Sequence, residues 1–296
     1  MARQRRKMIN SELGKIVADE EKKGSSSMYI RNALKEFLQA YVLYYIYTQK
    51  KYNKNLIFTG GTCLRHFFDL PRLSEDLDFD YLEDIDSSIL MEDIKEYFEK
   101  QLKYRQVKLN LKQRGKQIIL KFPVLHALGL ADSQESDLLY IKLDLSKNPS
   151  SHFNLQITAK SLYGFNFVAR HYDISSLMAG KVHAILTRNR LIGDDNRKTV
   201  KGRDYFDLLW FIKKPVELNI KRLSEMLGKE MKMNEVKKQL DIKVEELMSK
   251  YKNDFKSDMM PLISEIDFIN IYVDNYYEEY SRFVNQAFKQ KIEDGI

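Results

Sequence analysis

Carboxylates recur at every second position of the stretch Ser74-Glu-Asp-Leu-Asp-Phe-Asp80. Side chains along a strand repeat with period two, so Ser74, Asp76, Asp78 and Asp80 share one face and Leu73, Leu77, Phe79 and Tyr81 the other. Like charges aligned on one face repel unless something positive sits between them. A divalent ion answers that need, because Mg2+ is held by a few carboxylates with phosphate oxygens and water completing its shell. Just upstream, Gly60-Gly61-Thr62 follows the apolar run Leu56–Phe58 and opens a short helical segment. Glycines at a helix start offer backbone N–H groups and partial positive charge to phosphate. Metal at a reacting phosphate with donors on the others is what in-line phosphoryl or nucleotidyl transfer requires. The competing reading is a turn followed by a solvated acidic edge strand. Asp-x-Asp alone is common, but the order Gly60, Gly61, Thr62, Arg72, Ser74, Asp76, Asp78 favours the site. Asp80 lies farthest from the glycines and ranks below the other two acids.

Two weaker constellations lie downstream. Lys142 and Asp144 alternate with Ile141, Leu143 and Leu145, so both polar residues share one strand face. Asp144 could complete a metal site or deprotonate an attacking hydroxyl, or the two could be a charged pair on a half-exposed strand. Lys181 and Arg188 are one heptad apart, and Asp204 and Asp207 sit at i and i+3 on a later helix. A lysine there could bind a triphosphate as a point charge. A salt bridge between packed helices explains the same spacing.

The elements that must position these groups follow from periodicity. Helices are expected over 3–23 and 28–51, with Ser27 as cap of the second, whose aromatic residues fall at core spacing. After the central stretch, a helix is expected over 86–103 and a hairpin over 104–124 around Arg114-Gly115. A strand follows over 138–146, then loops with short strands at 155–157 and 165–169. Helices are expected at 174–188 and 203–212 around a polar loop over 189–201, and a helical pattern broken near Pro261 runs from 217 to 291. The fold class is therefore α+β: a mixed-sheet lobe with flanking helices over 1–172 and an all-helical lobe over 173–296.

The 296 residues, 44% hydrophobic and 31% charged, describe a globular chain. No apolar run approaches the ~20 residues that span a bilayer, and no apolar signal core follows basic Met1–Lys7. A cytoplasmic protein without membrane contact is expected. The single cysteine, Cys63, excludes an internal disulfide and a cysteine-based zinc site. The net charge of +7 points weakly to a polyanionic partner. No Gly-x4-Gly-Lys-Ser/Thr, Gly-x-Gly-x-x-Gly or His-Glu-x-x-His occurs.

The ordered set Phe58-Thr-Gly-Gly-Thr-Cys-Leu-Arg65 and Pro71-Arg-Leu-Ser-Glu-Asp-Leu-Asp-Phe-Asp80 resembles the AbiEii/AbiGii nucleotidyltransferase toxins, relatives of the MenT toxins within the DNA polymerase β-like superfamily. Ile141-Lys-Leu-Asp-Leu-Ser146, Leu177–Arg188 and Arg203-Asp-Tyr-Phe-Asp-Leu208 are similar to that family's later motifs, and the similarity covers about 28–215. The resemblance implies a nucleotidyltransferase lobe, a helical lobe and an active site between them. Asp76 and Asp78 would bind Mg2+ (or Mn2+), with Asp144 as third carboxylate. Gly60, Gly61, Thr62, Arg72, Ser74, Lys142 and Arg188 would serve the nucleoside triphosphate. Lys181 would neutralise phosphate charge, and Asp204 would act near the attacking hydroxyl or orient Lys181. It further implies an RNA acceptor, tRNA foremost, a role as toxin in a toxin–antitoxin or phage-defence system, and control by a cognate antitoxin. A protein or small-molecule acceptor, and a non-catalytic binding protein of the same fold, are the alternatives.

Overall fold

The computed structural model describes residues 2–188, 190–192 and 197–288, with only the backbone described for 2–8, 190–192 and 197. The basic character read at Met1–Lys7, the loop residues 189 and 193–196 and the helical pattern over 289–291 lie outside the described residues or side chains. The chain divides into two units, Met1–Asn148 with Leu155–His171, and Pro149–Asn154 with Tyr172–Ile296.

The first unit opens with α1 (Ala2–Lys22) and α2 (Ser27–Thr48). Ile9, Leu13 and Val17 recur every four residues along α1 and are buried. Ser26, not Ser27, caps α2: its hydroxyl accepts from the Tyr29 N–H while its backbone stays extended. Leu34, Leu38, Val42 and Ile46 of α2 are fully buried, as the core spacing of its apolar residues requires. β1 (Leu56–Thr59), α3 (Gly60–Phe68) and β2 (Asp76–Tyr81) follow. Next come α4 (Ser87–Glu96), which passes into a π-helical turn at Tyr97–Gln101, then β3 (Lys108–Lys112), β4 (Gln117–Pro123) and β5 (Leu138–Lys147). The segment expected to hold one or two short strands instead forms two full ones, β6 (Leu155–Leu162) and β7 (Phe165–Tyr172).

These strands make one mixed sheet in the order β3-β4-β5-β2-β1-β7-β6. β2 runs antiparallel to β1 but parallel to β5, which sets Asp76 beside Lys142 and Asp78 beside Asp144. One sheet face is apolar: Leu77, Phe79, Ile118, Leu120, Ile141 and Leu143 are essentially buried, and α2 packs on β5. The alternation that buries these residues necessarily turns the acids of β2 and β5 to the other face.

The second unit holds α5 (Ile174–Thr187), a short hairpin of β8 (Arg190–Ile192) and β9 (Arg197–Thr199), and α6 (Gly202–Ile212). The hairpin departs from the all-helical expectation for this part. Then come α7 (Ile220–Leu227), α8 (Met233–Lys250), α9 (Lys252–Met259), α10 (Ile266–Asp274) and α11 (Tyr276–Ala287). Gly202 starts α6 where a Cβ would meet the Phe255 backbone at 2.8 Å, so α6 and α9 touch through a residue that must be glycine. Residues 149–154 are tied to this unit by Glu225, whose carboxylate accepts from Ser150 Oγ at 2.7 Å and the Ser151 N–H at 3.0 Å and meets His152 Nδ1 at 2.8 Å. Those bonds hold the Glu225 carboxyl down at about 2. Among the described residues no helix is long and apolar enough to cross a membrane.

Candidate active site

In the first unit, the turn from β1 into α3 is built against the acids of β2. Gly60 has φ +74°, and a Cβ there would lie 2.7 Å from Asp78 Cγ, overlapping the carboxylate. Only glycine satisfies both the left-handed backbone and that approach. A Cβ on Gly61 would lie 2.8 Å from both Arg72 Nη2 and Ser74 Oγ. Thus Gly60 rests on Asp78, and Gly61 rests on Arg72 and Ser74.

The neighbours differ in what they can offer a ligand. Arg72 is 2% exposed, and its Nη1 donates to the Leu73 carbonyl at 2.8 Å. Thr62 is buried and gives its hydroxyl to the Asp76 carbonyl, fastening α3 to β2. Gln39 of α2 donates to the Glu75 carbonyl at 2.9 Å and the Ser74 carbonyl at 3.3 Å, fixing the chain as it enters β2. Cys63 is buried directly behind the turn, and burial with the nearby Asp78 charge keeps its thiol protonated well above its usual range. Asp80 is buried, whereas Asp76 and Asp78 are half-buried.

On the same face, Lys142 Nζ lies 3.9 Å from Asp76, and Asp144 accepts from Gln117 Nε2 at 2.7 Å. Among the described residues no group of three or more His, Cys, Asp or Glu side chains is placed to hold a metal ion. The acids form an open row instead: Asp76 and Asp78 two residues apart on β2, and Asp144 beside Asp78 on β5. An open row of few carboxylates fits Mg2+, which keeps water and phosphate oxygens among its ligands.

In the second unit, Lys181 of α5 reaches both acids of α6: Asp207 at 2.7 Å and Asp204 at 3.4 Å. Arg188, at the end of α5, also pairs with Asp204. The Asp207 side chain is fully buried and that of Asp204 is 7% exposed, against 14% for Lys181. Two buried carboxylates with two cations form a balanced cluster, and Asp207 is the closer lysine partner. The sequence signal for Asp207 is its i, i+3 spacing from Asp204. Gln117 has no such signal, since it meets Asp144 only through the β4–β5 register.

A family model for the AbiEii nucleotidyl transferase toxin of type IV toxin–antitoxin systems matches residues 41–286. The chain belongs to the AbiEii family. Among solved structures, MenT4, a nucleotidyltransferase toxin from Mycobacterium tuberculosis, is similar at 13% identity and TM-score 0.50, over 96% of this chain and 95% of that one. A Helicobacter pylori protein described as a nucleotidyltransferase is similar at 16% identity and TM-score 0.45, over 84% of this chain and 94% of that one. At such identities the MenT4 likeness speaks for the fold. A comparison with curated proteins finds no match. As an AbiEii protein the chain is a nucleotidyltransferase, a class that works with a nucleoside triphosphate and a divalent metal, and its toxin–antitoxin family implies an antitoxin partner.

Proposed function

We propose that this AbiEii protein transfers a nucleoside monophosphate from a triphosphate to an RNA acceptor, tRNA foremost, with Mg2+ held by Asp76 and Asp78. The observation that carries the reading is the fit of Gly60 against Asp78, with Asp144 in register alongside. It joins a phosphate-binding turn to a carboxylate row with no room for a side chain between them. The bound ion supplies charge neutralisation at the reacting phosphate. The N–H groups of the α3 start and the Ser74 hydroxyl hold the triphosphate, and Lys142 balances charge beside Asp76. Arg72 and Thr62 act beneath the turn, as positioning residues. Asp144, held by Gln117, takes the proton from the acceptor hydroxyl. The hydroxyl oxygen bonds to the α-phosphorus as the bond to pyrophosphate breaks.

Within the second unit Asp204 and Asp207 orient the Lys181 ammonium, and Arg188 balances Asp204. The reaction consumes triphosphate and RNA, so on this reading it is a cytoplasmic toxin of a toxin–antitoxin or phage-defence pair. The test incubates the protein with each labelled nucleoside triphosphate, Mg2+ and total cellular RNA, protein and small molecules. Label on RNA, tRNA above all, is expected. Label on the protein or small-molecule fraction alone would reassign the acceptor. No label anywhere, with toxicity kept by Asp76→Ala/Asp78→Ala, would make the chain a binding protein.

A further inference from the structure

The carboxylate row does not end at β5. Through the register it continues as the outermost residues of a face crossing β4 and β3. Asp78 is followed by Asp144, Gln117 and Lys112, and Asp76 by Lys142, Ile119 and Asn110. A third rung holds Tyr140, Lys121 and Lys108. All lie opposite the buried face. Lys108 and Lys112 are exposed, Lys121 is half-buried, and Tyr140 is 39% exposed.

The charge on this hairpin is one-sided. Between Glu99 and Asp132 no acidic residue occurs, while Arg105, Lys108, Lys112, Arg114, Lys116 and Lys121 all fall within it. The chain's overall charge is +7, so an acid-free run carrying these cations is a locally basic stretch of the chain.

We propose that this face of β3, β4 and β5 is the track for the single-stranded end of the RNA acceptor, leading it onto Asp144 and Asp78. The inference rests on the RNA reading above and adds the surface to it. Strands lie ~4.8 Å apart, so the face extends about 14 Å from β2 to β3, which is room for backbone beyond the reacting nucleotide. Lys108, Lys112 and Lys121 supply point charges for phosphates. Tyr140 offers a ring for a base to stack on, and the Asn110 amide can meet a base edge or a 2′-hydroxyl. An acidic protein partner could use the lysines, but nothing would require it to lie along rungs that end in the carboxylates.

The test uses the full chain and a labelled single-stranded oligoribonucleotide, with binding followed over a range of salt concentrations. Lys108→Gln/Lys112→Gln/Lys121→Gln should lower the slope of log affinity against log salt by about 2, which amounts to about 100-fold weaker binding at 0.1 M salt. A control with the same charge change, Lys22→Gln/Lys95→Gln/Lys100→Gln, should bind as wild type, and thermal melting of both variants checks that they fold. Tyr140→Ala should weaken binding without changing the salt slope. Wild-type affinity and slope in the first variant would overturn the track while leaving label transfer to RNA standing. Equal binding of poly-glutamate by wild type, lost in the same variant, would overturn the RNA assignment of the surface. Failure of wild type to label any RNA would overturn both this inference and the reading beneath it.

Discussion

Gly60→Ala tests the join between the turn and the acids. Two costs follow from the structure. Gly60 has φ +74°, and a residue with a Cβ in the left-handed region loses roughly 1–2 kcal/mol. The new methyl would also overlap the Asp78 carboxylate, with Cγ at 2.7 Å. Relief requires the carboxylate to shift by about 1 Å, and a displacement of that size costs on the order of 100-fold in rate where reacting groups must align. Gly129 separates the two costs, because it has φ +70° and a methyl added there would meet nothing within 4 Å. Gly129→Ala should lose roughly 1–2 kcal/mol of stability and keep its transfer rate. Gly60→Ala should lose a comparable amount of stability and about 100-fold in labelled nucleotide transfer. Urea denaturation and the transfer assay, run on both variants, read the two effects separately. Full transfer by Gly60→Ala would show that the approach of Gly60 to Asp78 has no part in the chemistry.

Two further outcomes concern buried charge. Lys181→Met leaves Asp207 and Asp204 without their shared cation, and breaking a buried pair by removing one partner costs about 3–5 kcal/mol. Asp207→Asn in the same chain should recover part of that loss in chemical denaturation, and an unchanged midpoint in Lys181→Met would remove the cluster from the account of the fold. His66 is buried, and burial pushes its imidazole down to about 4, assisted by Arg65 and Lys160 and opposed by Glu36. Its folded value lies below the unfolded one, so the unfolded state binds the proton first and stability falls as pH drops from about 6.5 toward 4. Between pH 7 and pH 5 that amounts to about 2 kcal/mol. His66→Leu should show correspondingly less acid sensitivity in urea melts, and an identical pH dependence would contradict the assignment.

The strands that carry the acids are more legible in the chain than the register that joins them. The alternation through Asp76, Asp78 and Tyr81 and through Lys142 and Asp144 follows from period-two burial, so strand, face and acids can be read together. The β6–β7 hairpin is harder to read because Thr158, Lys160 and Ser161 interrupt any apolar run, and β6 is an edge strand with no need to be apolar. The parallel pairing that sets Asp144 beside Asp78 joins residues far apart in sequence, and the Gln117 bond to Asp144 depends on the antiparallel β4–β5 register. Local periodicity carries no register information across such distances. Ser26 displaces Ser27 as a cap because adjacent serines are equivalent in type, and only the backbone angles decide between them. Spacing indicates that Lys181, Asp204 and Asp207 can meet. It cannot indicate that both acids are buried, nor that Asp207 is the closer partner.

The central claim is that Asp76 and Asp78 hold the metal for nucleotide transfer to RNA. Asp76→Asn and Asp78→Asn keep the size of each side chain and remove its charge. Wild type, given each labelled triphosphate with Mg2+ and total tRNA, should label RNA. Each variant should fall by at least about 100-fold in transfer while melting within a few degrees of wild type, and each should be harmless when expressed. Labelling of RNA by either variant at the wild-type rate would contradict the account.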